Sequence, residues 1–82
     1  MKKNEFFNEL EKQLKKLPSE EREDILRDYE EYFQIGYQEG KTDEKMIEEL
    51  GSPKQLSKEL LAAYQVEKLE KRTNARNLLG AL

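Results

Sequence analysis

A chain of 82 residues with no cysteine and no histidine can hold no disulfide framework and no thiolate metal site, and it lacks the usual neutral-pH general base. Its length allows one domain at most, and a charged fraction of 40% against 35% hydrophobic makes it more polar than an average globular chain. The net charge of −3 is unevenly spread: in residues 67–82, Lys68, Lys71, Arg72 and Arg76 outnumber Glu67 and Glu70 to give +2, which leaves −5 on residues 1–66.

The opening Met1-Lys2-Lys3-Asn4-Glu5 leads into an amphipathic pattern, not the apolar core of a secretory signal. No apolar run approaches bilayer length, so the chain as given reads as soluble. Helix one is predicted from Asn4 to Lys16, with Asn4 as N-cap and Glu5 suited to the positive helix end. Phe7, Leu10, Leu14 and Leu17 follow a 3-4-3 spacing, which makes them the buried stripe, with Phe6 at its edge. Leu17-Pro18-Ser19 then breaks the pattern, because proline disfavours helical geometry in the residue before it. Either Ser19 caps the second helix or Pro18 is its first residue.

Glu20, Glu21, Glu23 and Asp24 crowd the start of helix two, where anions are stabilised. Ile25, Leu26, Tyr29, Tyr32, Phe33 and Gly36 follow as a broad, aromatic-rich stripe, expected to contribute most to the core. Gly36 is either a close-packing point or the place where the helix begins to fray, and Gly40 ends the segment. A short third helix takes Thr42 or Asp43 as its cap and turns Met46, Ile47 and Leu50 inward.

Leu50-Gly51-Ser52-Pro53-Lys54-Gln55-Leu56 stops one helix and starts the next without a linker. Gly51 is expected to take the left-handed conformation that closes a helix. Ser52 is a good N-cap, Pro53 falls at the first helical position, and Gln55 is placed to complete a capping box with Ser52. Helix four runs from there at least to Lys71, carrying Leu56, Leu60, Leu61, Ala63 and Tyr64, with Leu69 as a further candidate. From Thr73 the periodicity fades towards Leu78-Leu79-Gly80-Ala81-Leu82. The expected fold is all-α: a compact bundle of four helices, the third one short, over residues 1–72, followed by a tail at 73–82.

Several groupings invite a chemical reading. Glu20, Glu21, Glu23, Asp24, Asp28, Glu30 and Glu31 spread around a helix instead of converging from a loop, so they fit a solvated face better than a calcium site. Gly40-Lys41-Thr42 matches the end of a phosphate loop but lacks the correctly spaced earlier glycine and the preceding strand, which leaves a helix-terminating loop. Tyr29, Tyr32 and Tyr64 fit the core or its rim; stacking on nucleic acid would call for a basic groove, and this body is acidic. Ile35 and Tyr37 fit the stripe less well. Together with Tyr32 they are the candidate partner-binding residues. A domain of this size has little room for a catalytic pocket, so no catalytic, cofactor or metal site is expected. Lys68, Lys71, Arg72 and Arg76 precede a small apolar run, the pattern of a segment that stops just before a membrane span and is kept on the cytoplasmic side by its positive charges.

The ordered set Lys3-Asn4-Glu5-Phe6-Phe7-Asn8-Glu9-Leu10, Leu17-Pro18-Ser19-Glu20-Glu21-Arg22, Ile25 to Phe33, Gly36, Gly40-Lys41, Leu50-Gly51-Ser52-Pro53 and Leu56 to Leu61 resembles the HAAS domain, the helix-turn-helix-associated α-helical signalling domain, over about Met1 to Tyr64. The resemblance implies an N-terminal cytoplasmic domain of bacterial membrane proteins encoded beside PadR-like transcription regulators. It implies a role in sensing or in control of that regulator, and it brings no catalytic or ligand residues. The expected function is therefore a non-catalytic signalling module that binds a PadR-like regulator and no nucleic acid. It would reach the membrane only through a segment beyond this chain. The alternative is a stand-alone soluble homo-oligomer in which helix four pairs with its copy.

Overall fold

The computed structural model describes the backbone of residues 1–80 and the side chains of residues 1–68. Within these, four helices follow one another as α1 (Lys3–Gln13), α2 (Ser19–Gln38), α3 (Asp43–Leu50) and α4 (Pro53–Gly80). The all-α architecture and the short third helix are as expected.

α1 departs from the prediction at both ends. Lys2, in extended geometry, holds the N-cap position with no side-chain cap, and Asn4 lies inside the helix. The helix stops at Gln13 because the chain tightens to three-residue turns, with Lys15 N–H bonding the Lys12 carbonyl at 3.4 Å and Leu17 N–H the Leu14 carbonyl at 3.0 Å. Pro18 causes this, since it excludes α geometry from Leu17. The tighter turn still delivers Leu14 and Leu17 to the same side as Leu10, and all three are buried. Phe6 is fully buried and Phe7 only half-buried, the reverse of the expected order. Both residues fit the leucine spacing; the position of the neighbouring helices selects Phe6.

Neither reading of the α2 start holds. Pro18 is the N-cap, Ser19 is the first helical residue, and the Arg22 N–H donates to the Pro18 carbonyl at 3.0 Å. At the other end, Gly40 (φ +80°) donates to the Tyr37 carbonyl at 3.0 Å and Lys41 N–H to the Gly36 carbonyl at 2.9 Å. These two bonds form a Schellman motif, which satisfies carbonyls the helix end would leave bare. Thr42 then caps α3 by accepting from Lys45 N–H at 3.2 Å. The phosphate-loop-like Gly40-Lys41-Thr42 is thus a helix stop joined to a helix start.

The α3–α4 corner forms where expected, with two departures: its capping box is half made and its glycine takes another conformation. Ser52 Oγ accepts the Gln55 N–H at 3.1 Å, which is one of the two bonds of a capping box, and Pro53 opens α4. Gly51 has φ 83° and ψ −166°, a positive-φ extended conformation outside the left-handed helical region. Only glycine occupies that region readily. A Cβ at Gly51 would meet no atom within 4 Å, so Gly51→Ala isolates the backbone strain. It is expected to cost about 1–3 kcal/mol. Gly51→Asn should do no better, because asparagine tolerates the left-handed helical region and not this one. Urea unfolding checks both, and a stability restored by asparagine would refute the assigned conformation.

The core consists of Phe6, Leu10, Leu14, Leu17, Phe33, Met46 and Leu56. Four of these seven come from α1 and the turn after it and one from α2, so α1, not α2, contributes most. The reason is position: α1 packs on all three other helices and most extensively on α4. The aromatic stripe of α2 is instead half-buried at Ile25, Leu26, Tyr29 and Tyr32. Gly36 is the close-packing point, because a Cβ there would fall 2.0 Å from the buried Met46 Sδ of α3.

On α4, Leu56 and Ser57 are buried, with Ser57 Oγ donating to the Lys54 carbonyl at 2.7 Å. Leu60, Leu61 and Tyr64 are half-buried, Ala63 is exposed contrary to expectation, and Leu69 lies outside the described side chains. A helix of 28 residues spans about 42 Å. Among the described side chains of α4, Tyr64 is the last that is half-buried, and the helix continues from it to Gly80.

Candidate functional site

Aromatic residues gather where the start of α1 meets the second half of α2. The Phe33 ring centroid lies 5.4 Å from that of Phe7, 6.1 Å from Phe6, 6.0 Å from Tyr32 and 6.4 Å from Tyr37. Lys3 spans the top of this cluster. Its Nζ stands 5.9 Å from the Phe7 centroid, 5.3 Å from Phe33 and 5.4 Å from Tyr37, and it pairs with Glu30 at 2.7 Å. The ring faces and the carboxylate together favour the cation. The hydrogen bond to Glu30 is the chief reason the Lys3 ammonium holds its proton more tightly than usual, against a smaller opposing effect of burial.

The two tyrosine hydroxyls tie α2 to α3. Tyr32 donates to Glu49 Oε2 at 2.8 Å, and Tyr37 donates to Asp43 Oδ1. Lys41, in the loop between the helices, completes the link by pairing with the same Glu49 oxygen at 3.4 Å and with Glu39 at 3.7 Å. Of the three candidate partner-binding residues, Tyr32 and Tyr37 thus brace the α2–α3 junction, and Ile35 is 56% exposed. They do not share one face, because residues 35 and 37 stand about 200° apart around the helix axis. The signal that could have revealed the brace was the placing of acidic Asp43 and Glu49 on a short helix just after the tyrosines. Sequence alone could not show that α3 folds back against them.

These bonds set a pH window. The Glu49 carboxyl is held below the usual carboxylate range, first by the Tyr32 hydrogen bond and then by Lys41. A lowered carboxyl pKa contributes stability at neutral pH that is lost as pH falls through the folded value, on the acid side of an ordinary glutamate. The Tyr32 and Tyr37 hydroxyls are pushed up, chiefly by Glu49 and Asp43 respectively. A raised tyrosine pKa contributes stability that is complete below the ordinary value and is lost as pH rises through the folded one. The brace should therefore open at both extremes. Glu49→Gln is expected to flatten the acid limb of stability against pH and to bring one tyrosine back towards its ordinary titration, read by tyrosinate absorbance. An unchanged tyrosine titration would remove Glu49 from the brace.

The tyrosine shifts run upward, away from what a nucleophile or base at neutral pH requires. Among the described residues no group of three or more acidic side chains is placed to hold a metal ion. No helix there is long and apolar enough to cross a membrane. The family model for HAAS matches residues 5–59, from the first turn of α1 through α2, α3 and the Gly51-Ser52-Pro53 corner into the start of α4. No curated protein and no solved structure matches the chain.

Proposed function

The chain belongs to the HAAS family, and from that premise we propose that it is a non-catalytic helical signalling module that binds a PadR-like transcription regulator. In this reading it is the cytosolic, N-terminal part of a membrane protein, it contacts no nucleic acid, and α4 leads towards the bilayer. One observation carries the proposal. α4 is the helix packed most extensively on the central α1, and it continues as a single helix to Gly80. The rigid Gly51-Ser52-Pro53 corner joins it to α3, so a displacement applied along α4 reaches both the core and the α2–α3 brace. Co-purification of the full-length protein with the regulator encoded beside it tests this reading. A stable association is expected in detergent extracts, and its absence there would count against the reading.

A second reading, self-association through α4, is favoured by the exposure of Gln65, Val66, Glu67 and Lys68 on a helix that runs on to Gly80. A helix that leaves such a run exposed gains stability from a partner laid along it.

A further inference from the structure

The outward face of α2 carries Glu21, Asp24, Asp28, Glu31 and Ile35 at spacings of three and four, which puts them on one ridge. All five are exposed. Like charges at this spacing repel. Arg27 relieves part of the repulsion by bonding Asp24 at 3.4 Å. The ridge ends on an isoleucine that is 56% exposed.

The complement to this ridge occurs in the same chain, 44 positions later. Lys68, Arg72, Arg76 and Leu79 present three cations and then an apolar residue at nearly the ridge's own spacing. Laid parallel to α2 in that register, they bring Lys68 to Asp24, Arg72 to Asp28, Arg76 beside Glu31 and Leu79 to Ile35.

One chain cannot make this contact with itself. α4 runs antiparallel to α2: Glu59 is near enough to Tyr29 to add to the effect of burial in pushing its hydroxyl up, and Tyr64, Glu67 and Lys68 share a groove with Glu21. A parallel register between α4 and α2 is therefore closed to a single chain, whose own α4 runs the other way along α2.

We propose that the C-terminal segment of α4 from one copy docks on the acidic α2 ridge of a second copy. Because α4 opposes α2 within each copy, this docking sets the two copies antiparallel, as a two-fold axis does, so both segments seat at once. The inference rests on the self-association reading and supplies its interface. It is incompatible with both α4 helices entering one bilayer, since the pair points them in opposite directions.

Sedimentation equilibrium of the 82-residue chain tests it. Dimers are expected at low salt, weakened by about tenfold or more in half-molar salt, where exposed charges are screened. Asp28→Lys with Glu31→Lys should abolish association, and so should Arg72→Glu with Arg76→Glu. Far-UV circular dichroism of each variant should match the parent. Mixing the two variants should restore the dimer, because each reversed ridge then meets a reversed segment and each native ridge a native one. A dimer indifferent to both reversals, or a mixture that stays monomeric, would overturn the interface while leaving self-association in place. A parent chain monomeric at every salt concentration would overturn both.

Discussion

Phe33→Ala is expected to cost about 3–5 kcal/mol, the usual loss when a buried aromatic side chain leaves a cavity. Phe33 is fully buried, and its ring is shared by Phe6 and Phe7 of α1 and by Tyr32 and Tyr37 of α2. Its removal also takes away a face from under the Lys3 ammonium. A domain of this length has a total stability of only about 4–12 kcal/mol. The variant should therefore lose a quarter or more of its urea midpoint, together with its near-UV dichroism. Ile35→Ala, two residues along the same helix, should stay within about 0.5 kcal/mol of the parent, because it empties no core space. Equal losses from the two substitutions would mean that α2 turns a different face to α1.

Gly36→Val should destabilise by about 2–3 kcal/mol for the opposite reason. The new Cβ would fall 2.0 Å from Met46 Sδ and 3.3 Å from its Cγ, and Met46 is itself fully buried, so its side chain or α3 must shift within the core. Overpacking of this kind forces off-rotamer side chains or separates the helices. The control is Gly36→Ala in a Met46→Ala background. With the methionine gone, alanine should be favoured over glycine by up to about 1 kcal/mol, its ordinary advantage inside a helix. Chemical denaturation of the four members of this cycle measures the coupling. If alanine destabilises equally in both backgrounds, Gly36 serves the helix end and not the α2–α3 contact.

Much of this architecture was legible from residue order because its signals are local. Pro18, Gly40, Thr42, Gly51, Ser52 and Pro53 act through their own backbone geometry and through neighbours three or four residues away, so each helix boundary they mark could be placed to within a few residues. The inward direction of Leu10, Met46 and Leu56 follows from helical spacing, which is local as well. The errors lay where two local patterns were equally good. Phe6 and Phe7 both fit the leucines of α1, and an aromatic-rich α2 looked the stronger core element until α1 proved to touch every other helix.

The candidate site shows the same division. The exposure of Ile35 could be read from its misfit with the α2 stripe. The bonds from Tyr32 to Glu49 and from Tyr37 to Asp43 could not, since each requires the direction in which α3 returns along α2. The acidic ridge and the basic segment that matches it were both visible as charges. That one chain cannot bring them together depends on α4 running antiparallel to α2.

By itself, then, the sequence determined that this is an all-helical HAAS domain, where its helices start and stop to within a few residues, and that glycine is required at the α3–α4 corner. Capping, proline geometry and spacing act over a few residues and need no knowledge of what lies across the core. Only the tertiary structure decided that α1 is the centre, that Gly36 is filled by Met46, and that two tyrosines brace α3. It also decided that the Gly51 backbone is extended and not left-handed. The first three depend on how one helix sits against another, which side-chain packing sets when the helices meet, and the Gly51 conformation follows from the angle that packing imposes at the corner.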